Sequence, residues 1–427
     1  MSWKKVKLGD LCTIEKGKTG IQKAISGEYP LVVTAEDRKS HNEYQFDDEA
    51  VIIPLVSGTG HGHASIKRLH FQSGKFALGT ILCAVIPKDK SVLNAEYLFR
   101  FLNLNKEREL VDRMKGMANV TLPIKEIAKI EIPLPSLEEQ IVFVEKYGLL
   151  ETDSDDISYE LDYQLNLIKQ LRQAFLREAM QGELVKSTNT KETGQQLLAK
   201  IKAEKAQLIS EKKLKKEKES PPITEDEIPF EIPEHWAWCR LGEICTKVTD
   251  GFHHTPKKLK EGKIYISPKH LKNNSINWSS CDYISEIDHN YLVKKTSPRK
   301  GEILIANRGT VGVPALIDID EEFSFQNLAL IGFNQSFLNN KFIFFYLIKS
   351  IDEIVEKFVN GGLQPMLSNV VLRTIPIPLP PLHEQEQIVA KIEDLMAFCE
   401  DLELSIKESQ GYNEMLLQQV LREALQV

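Results

Sequence analysis

The residues best suited to chemistry in this 427-residue chain lie in three glycine-bearing polar loops. SGTGHGHASIKR, Ser57 to Arg68, joins glycines to two cations. Glycine lets a backbone N–H approach a phosphate closely, and Lys67 and Arg68 supply charge to neutralise it. Ser57, Thr59, His61 and His63 add hydrogen-bonding groups to the same loop. TDGFHHTPKK, Thr249 to Lys258, offers Thr249, His253, His254, Thr255 and Lys257. ANRGTVG, Ala306 to Gly312, offers Asn307, Arg308 and Thr310. Asn and Arg are the side chains that read adenine and guanine edges. Asn119 and Gln364 stand at matched positions after Gly116 and Gly361. They are placed either to reach a ligand or to cap the next element. Each loop also has a plainer reading as a tight turn.

Catalytic and metal chemistry have no comparable signature. Gly17-Lys18-Thr19 has the ending of a phosphate-binding loop, but the earlier glycine of that motif falls at Cys12, so the cradle is missing. No G-x-G-x-x-G follows a strand, and no N-P-P-F/Y or D-P-P-Y motif for amino-group methylation is present. His61, His63 and His70, like His253 and His254, lack helical H-x-x-x-H spacing and a nearby cysteine pair, so no metal site is expected. The six cysteines form no C-x-x-C pair and read as reduced thiols of a cytosolic protein. No catalytic residue is assigned.

The elements that must carry these loops are organised as a repeat. IPLPSLEEQIVFVEK, Ile132 to Lys146, recurs as IPLPPLHEQEQIVAK 245 residues later, and the match runs without a gap from about Lys115 to Met180. Upstream, WKKVKLGDLC from Trp3 meets WAWCRLGEIC from Trp236 at an offset of 233. The two offsets differ, and the material between the matched blocks looks unrelated in sequence. The chain therefore reads as two halves with a shared frame and divergent interiors.

Charge follows the same division. The whole chain carries a net −7, but residues 1–131 carry +4 and residues 235–380 carry +3. The acidity lies in residues 132–180 at −6 and 381–427 at −7. Mildly basic interiors are compatible with a polyanion partner. Runs such as AVIIPLVSG, KFALGTILCAVI, GEILIAN and LALIGF read as short strands, and 94–113 and 339–358 as short helices.

Ser136 to Met180 reads as one long helix, opened by a Ser136–Glu139 capping box after the extended IPLP. Ile157, Leu161, Leu165, Ile168, Leu171 and Phe175 form one apolar stripe; Ile388, Ile392, Leu395, Cys399, Leu402 and Ile406 form a heptad-like seam, with Leu416 added further along. Each long stripe needs a partner, and the nearest is the other copy. Between them, KETGQQLLAKIKAEKAQLISEKKLKKEKE is helical and then lysine-rich, and PPITEDEIPFEIPEHW is extended, as an interdomain linker should be. No apolar run reaches the ~20 residues of a membrane span, and the N-terminus lacks an apolar signal core.

The chain resembles the specificity subunits of type I restriction–modification systems along essentially its whole length. The residues that carry the likeness are the paired IPLPSLEEQ and IPLPPLHEQ, the central LLAKIKAEKAQLI and PPITEDEIPFEIPEHWAWCRLGEI, and TDGFHHTP. The resemblance implies a mixed α+β fold. Two α/β target recognition domains, residues 1–135 and 235–380, would be separated by two long helices, 136–182 and 381–427, in an antiparallel coiled coil with pseudo-twofold symmetry. Residues 183–234 would be the connector. It implies a non-catalytic, cytoplasmic, prokaryotic DNA-reading subunit for a bipartite double-stranded site. Its helices would set the spacer and dock two modification subunits, with restriction subunits joining. S-adenosylmethionine, ATP and Mg would belong to those partners, and no cofactor to this chain. Two other classes remain on the residues alone: a self-contained DNA methyltransferase or endonuclease, and a coiled-coil scaffold without nucleic acid.

Overall fold

The computed structural model describes residues 3–34, 39–58, 63–116, 120–186, 192–216, 220–251, 255–309, 311–358 and 366–424. The chain divides into two units, residues 1–164 with 405–427, and residues 165–404.

The repeated Pro-rich segment builds the same joint in each unit. In the first, Glu131–Leu134 pairs antiparallel with Lys4–Lys7, Lys4 facing Leu134. In the second, Pro376–Leu379 pairs with Ala237–Arg240, Ala237 facing Leu379. The upstream offset of 233 and the downstream offset of 245 therefore meet in one ladder. The LEEQ and LHEQ tetrapeptides lock it. Gln140 is fully buried; its Oε1 accepts from Asn94 N at 2.8 Å, and its Nε2 donates to Val92 O and Pro135 O at 2.9 and 3.0 Å. Gln385 does the same work, accepting from Asn339 N and donating to Pro380 O, both at 2.9 Å. A buried amide left unpaired costs roughly 1–3 kcal/mol, so the glutamine is demanded by the joint. The preceding glutamate holds a tryptophan: Trp3 hydrogen-bonds to Glu139, and Trp236 Nε1 donates to Glu384 Oε1 at 3.0 Å. Glu139 also closes the expected capping box with Ser136. Asn94 and Asn339 are themselves 245 apart, so the frame reaches further upstream than Lys115.

The interiors share a topology that their sequences conceal. The first unit has a four-stranded sheet ordered Cys12–Lys16, Leu82–Pro87, Ala50–Pro54, His70–Gln72. The second has Cys245–Asp250, Leu328–Phe333, Ile303–Ala306, Pro314–Leu316 in the same order. Beside each, a strand pairs antiparallel on one edge and parallel on the other: Tyr29–Val32 with Lys39–His41 and Lys75–Leu78, then Lys263–Ile266 with Asp282–Ile284 and Phe323–Phe325. Helix Ala95–Leu104 covers the first sheet with Tyr97, Leu98, Phe101 and Leu102 over Val51, Ile53, Cys83 and Val85. Helix Asn340–Phe358 covers the second with Phe342, Ile343, Tyr346 and Leu347. Each such buried side chain contributes about 1.5–3 kcal/mol. Burial pushes the thiols of Cys12 and Cys83 up to about 12, so both are inert core residues.

The connector is more than a linker. Its helix Gly194–Ser210 opens on a Thr193–Gln196 capping box and buries Leu197, Leu198 and Ile201 in the core that holds Trp236 and Ile377. Its extended part is clamped by Arg240, which is 2% exposed and forks onto Glu227 while donating to the carbonyls of Pro221, Pro222 and Thr374.

The long helices are Leu137–Met180 and Leu382–Ala424. In the second unit, Arg172 pairs with Glu403 at 2.8 Å, and Leu176, Ala179 and Met180 share a core with Ile388, Val389 and Ile392. In the first, Gln410 donates to Asp162 at 2.8 Å, and Asn413 to Ser154 O and Ser158 Oγ at 2.9 and 3.1 Å. Residue numbers rise on one helix as they fall on the other, so the pairing is antiparallel. Ile168 and Ile392 are buried on the seam, and Leu161, Leu171, Phe175, Leu395, Leu402 and Ile406 are half-buried along it. Two expected seam residues are corrected. Ile157 is 49% exposed and Leu416 62% exposed. A helix turns 100° per residue, so the seam passes instead through their neighbours Ser158 and Leu417. Among the described residues, no helix is long and apolar enough to cross a membrane.

Candidate nucleic-acid interface

In the first unit the candidate loop leaves the end of Ala50–Pro54. Leu55 N donates to Ile81 O at 2.8 Å, Leu122 N to Leu55 O at 2.9 Å, and Ser57 N to Val120 O at 3.0 Å. Ser57 Oγ donates to His63 O and accepts from Ser65 N. Ser57 thus ties the loop to itself, while Lys67, Arg68 and His63 are exposed. Thr34, Ser57, Lys67, Arg68 and His70 line a cleft of about 300 Å³, with no carboxylate among the described residues that line it. Burial, then the charge of Arg68, holds His70 below its ordinary pKa, so it stands there as a neutral imidazole at pH 7. Two cations beside Thr34, Ser57 and a neutral His70 can neutralise phosphate oxygens and leave uncharged groups for finer contacts.

The second unit repeats this arrangement at the end of Ile303–Ala306. Leu367 N donates to Asn307 O at 3.0 Å, as Leu122 does to Leu55, and Arg308 bridges to Met366 as Val56 does to Thr121. The two loops that looked alike only in composition therefore spring from equivalent strand ends. Arg308 is half-buried, with its Nε buried and without a hydrogen-bond partner among the described residues. Asn307 corrects the expectation of an adenine reader: it is 2% exposed, and its Nδ2 is spent on Asp250 Oδ1 at 2.7 Å. It positions the loop from beneath. Thr249 is a half-buried strand residue facing Leu330. Thr255 Oγ1 donates to Gln326 Oε1 at 2.9 Å, to which Tyr265 Oη also donates at 2.7 Å. Lys257 is exposed, whereas Lys258 is held by Asp282 at 2.8 Å.

The structure thus gathers Ser57, Lys67 and Arg68 in one cleft, and Asn307 and Arg308 at the matching place in the other unit. Thr59, His61, Asn119, His253, His254, Thr310 and Gln364 lie outside the described residues. Sequence reasoning missed Thr34, His70 and Gln326. His70 had a signal, as the third of three neighbouring histidines; Thr34 and Gln326 had none, because only the fold brings them to these loops.

Residues 1–147 and 233–409 match the family model described as the type I restriction modification DNA specificity domain. The type I restriction enzyme EcoDI specificity subunit of Escherichia coli is 25% identical over 429 residues, spanning 99% of this chain and 88% of that protein. The EcoEI specificity subunit of Escherichia coli is 28% identical over 278 residues, 57% of this chain and 43% of that one. The MjaVIII specificity subunit of Methanocaldococcus jannaschii is 24% identical over 415 residues, 92% of this chain and 86% of the relative. A solved chain of a type I R-M system superposes with a TM-score of 0.67 at 17% identity, covering 99% of this chain and 97% of its own. The HsdS subunit from Thermoanaerobacter tengcongensis gives 0.52 at 18% identity, with 99% and 96% covered. These two likenesses show the fold. With the family model matching both halves, the chain belongs to the type I restriction–modification DNA specificity family.

Proposed function

We propose that this chain is the non-catalytic DNA-reading subunit of a type I restriction–modification complex, with residues 1–135 and 235–380 each reading one half of a bipartite double-stranded site. The observation that carries this reading is the pair of matched strand-end loops, alike in position and unlike in residues. The first offers Lys67 and Arg68, the second Arg308 over a buried Asn307. Equal position suits a pseudo-twofold partner such as DNA. Unequal residues suit two different half-sites. The seam helices would fix the unspecified spacer and dock two modification subunits, whose S-adenosylmethionine supplies the methyl group, Mg being held with ATP among the partner subunits. Restriction subunits would bring the ATP-driven step. Contacts from Lys67 and Arg68 supply affinity by phosphate neutralisation, while base edges are read by whichever loop side chains enter a groove.

Exchange of residues 1–131 for the same region of a related subunit tests this directly. The methylated motif is expected to change in one half only and to keep the other half and its spacer. A change in both halves would contradict the assignment of one domain to one half-site.

A further inference from the structure

The segment Lys16–Thr19, an incomplete phosphate-binding loop by its sequence, turns on Gly17, a position that Gly251 matches in the second unit. Gly17 follows the first strand of its sheet as Gly251 follows the first strand of the other. Gly17 N donates to Leu82 O at 3.0 Å, and Gly251 N to Leu328 O at 2.8 Å, each acceptor being the first residue of the neighbouring strand. A Cβ on Gly17 would lie 2.5 Å from Leu78 O; one on Gly251 would lie 2.7 Å from Phe325 O. Both positions exclude a side chain for the same reason, the close passage of the partly parallel second sheet. Gly17 and Gly251 thus hold the same place in the two units, although the constant offset of 233 does not align them.

In the first unit this bend is fixed from several sides. Gln45 brackets it, its Nε2 donating to Lys16 O and its Oε1 accepting from Lys18 N, both at 2.9 Å. Thr19 N donates to Leu78 O at 3.0 Å, and Thr80 N to Thr19 O at 3.2 Å. Thr80 adjoins Ile81, which lines the Lys67–Arg68 cleft, so bend and cleft share one end of the sheet. Lys16 and Lys18 are exposed and have no ion-pair partner among the described residues. Glu15, next along the strand, points to the opposite face by pleat alternation.

We propose that Lys16 and Lys18 on this bend contact backbone phosphates of double-stranded DNA beside the Lys67–Arg68 cleft. The inference rests on the reading of residues 1–135 as a DNA-reading domain. A flexible ammonium on a rigid backbone is a point charge, suited to phosphate and poorly suited to base discrimination. The bend therefore supplies affinity and register without changing the motif.

The test is fluorescence anisotropy with the full chain assembled with its modification subunits, on a duplex carrying the methylated motif and on a scrambled duplex, across a salt series. Lys18→Ala should weaken binding to both duplexes by about fivefold near 0.15 M salt and lower the salt slope by about 0.9. Lys16→Ala with Lys18→Ala should roughly double both effects on a logarithmic scale. Lys18→Arg should stay close to the parent protein, and melting temperatures should be unchanged, since both side chains are exposed. Unchanged affinity and slope, or a loss confined to the motif duplex, would overturn the inference. If the parent complex itself fails to distinguish the two duplexes, the DNA-reading function fails first.

Discussion

Arg240→Ala should lower the stability of the second unit by about 2–3 kcal/mol, the cost of losing hydrogen bonds from a buried charged donor while Glu227 keeps access to water. The guanidinium is 2% exposed and serves Glu227 and three backbone carbonyls at once. Its removal strands those acceptors and frees the connector from the strand Ala237–Arg240. The pairing also leaves a pH signature. Hydrogen bonds from Arg240, then from Thr224 N, hold the Glu227 carboxyl down at about 2 from an ordinary value of 4.5. A carboxyl lowered on folding stabilises fully above the unfolded value of 4.5, and that stabilisation is lost as pH falls through about 2. Denaturant titrations at pH 7 and across the acid range should therefore show a lower midpoint for Arg240→Ala at neutral pH and a shallower fall of stability in acid. A neutral midpoint equal to that of the parent protein would show that the clamp is ornamental.

Seven residues inserted into the middle of each long helix should abolish recognition of the parental site. Each insertion adds about 10 Å while keeping the heptad register, so the seam itself should survive. If the helices act as the ruler, the two readers no longer match the parental spacer. Binding should then fall toward the non-specific level, a loss of about a thousandfold or more. Circular dichroism should report retained helix and a retained melt, which separates a ruler effect from unfolding. Methylation of the parental site with its spacer unaltered would show that the helices do not set the distance.

Much of this architecture was legible in the residues, and the reasons are specific. The LEEQ and LHEQ copies stand out because Gln140 and Gln385 satisfy three or two buried backbone groups that no other side chain of that length would satisfy. The Ser136–Glu139 box and the long apolar stripes are local signals that survive without tertiary context. The shared topology of the interiors was not legible. Strands such as Ala50–Pro54 and Ile303–Ala306 need only be apolar, which many sequences satisfy, and loops of unequal length between them destroy any constant offset. Gly17 and Gly251 show the consequence: the same steric demand is met twice, yet the flanking residues GKTG and GFHHTP share nothing else that a comparison could use. Asn307 failed for another reason. Its residue type fits a base edge, but its burial over Asp250 depends on strands distant in sequence. The capacity of the connector to pack through Leu197, Leu198 and Ile201 was likewise hidden beneath a lysine-rich surface.

The central claim, that this chain selects a split DNA site for modification, is tested most directly by mapping N6-methyladenine across the host genome with the gene intact and with it deleted. One asymmetric bipartite motif is expected, methylated on both strands in the first case and unmethylated in the second. An identical methylome with and without the gene, in a host that expresses the modification subunits, would contradict it.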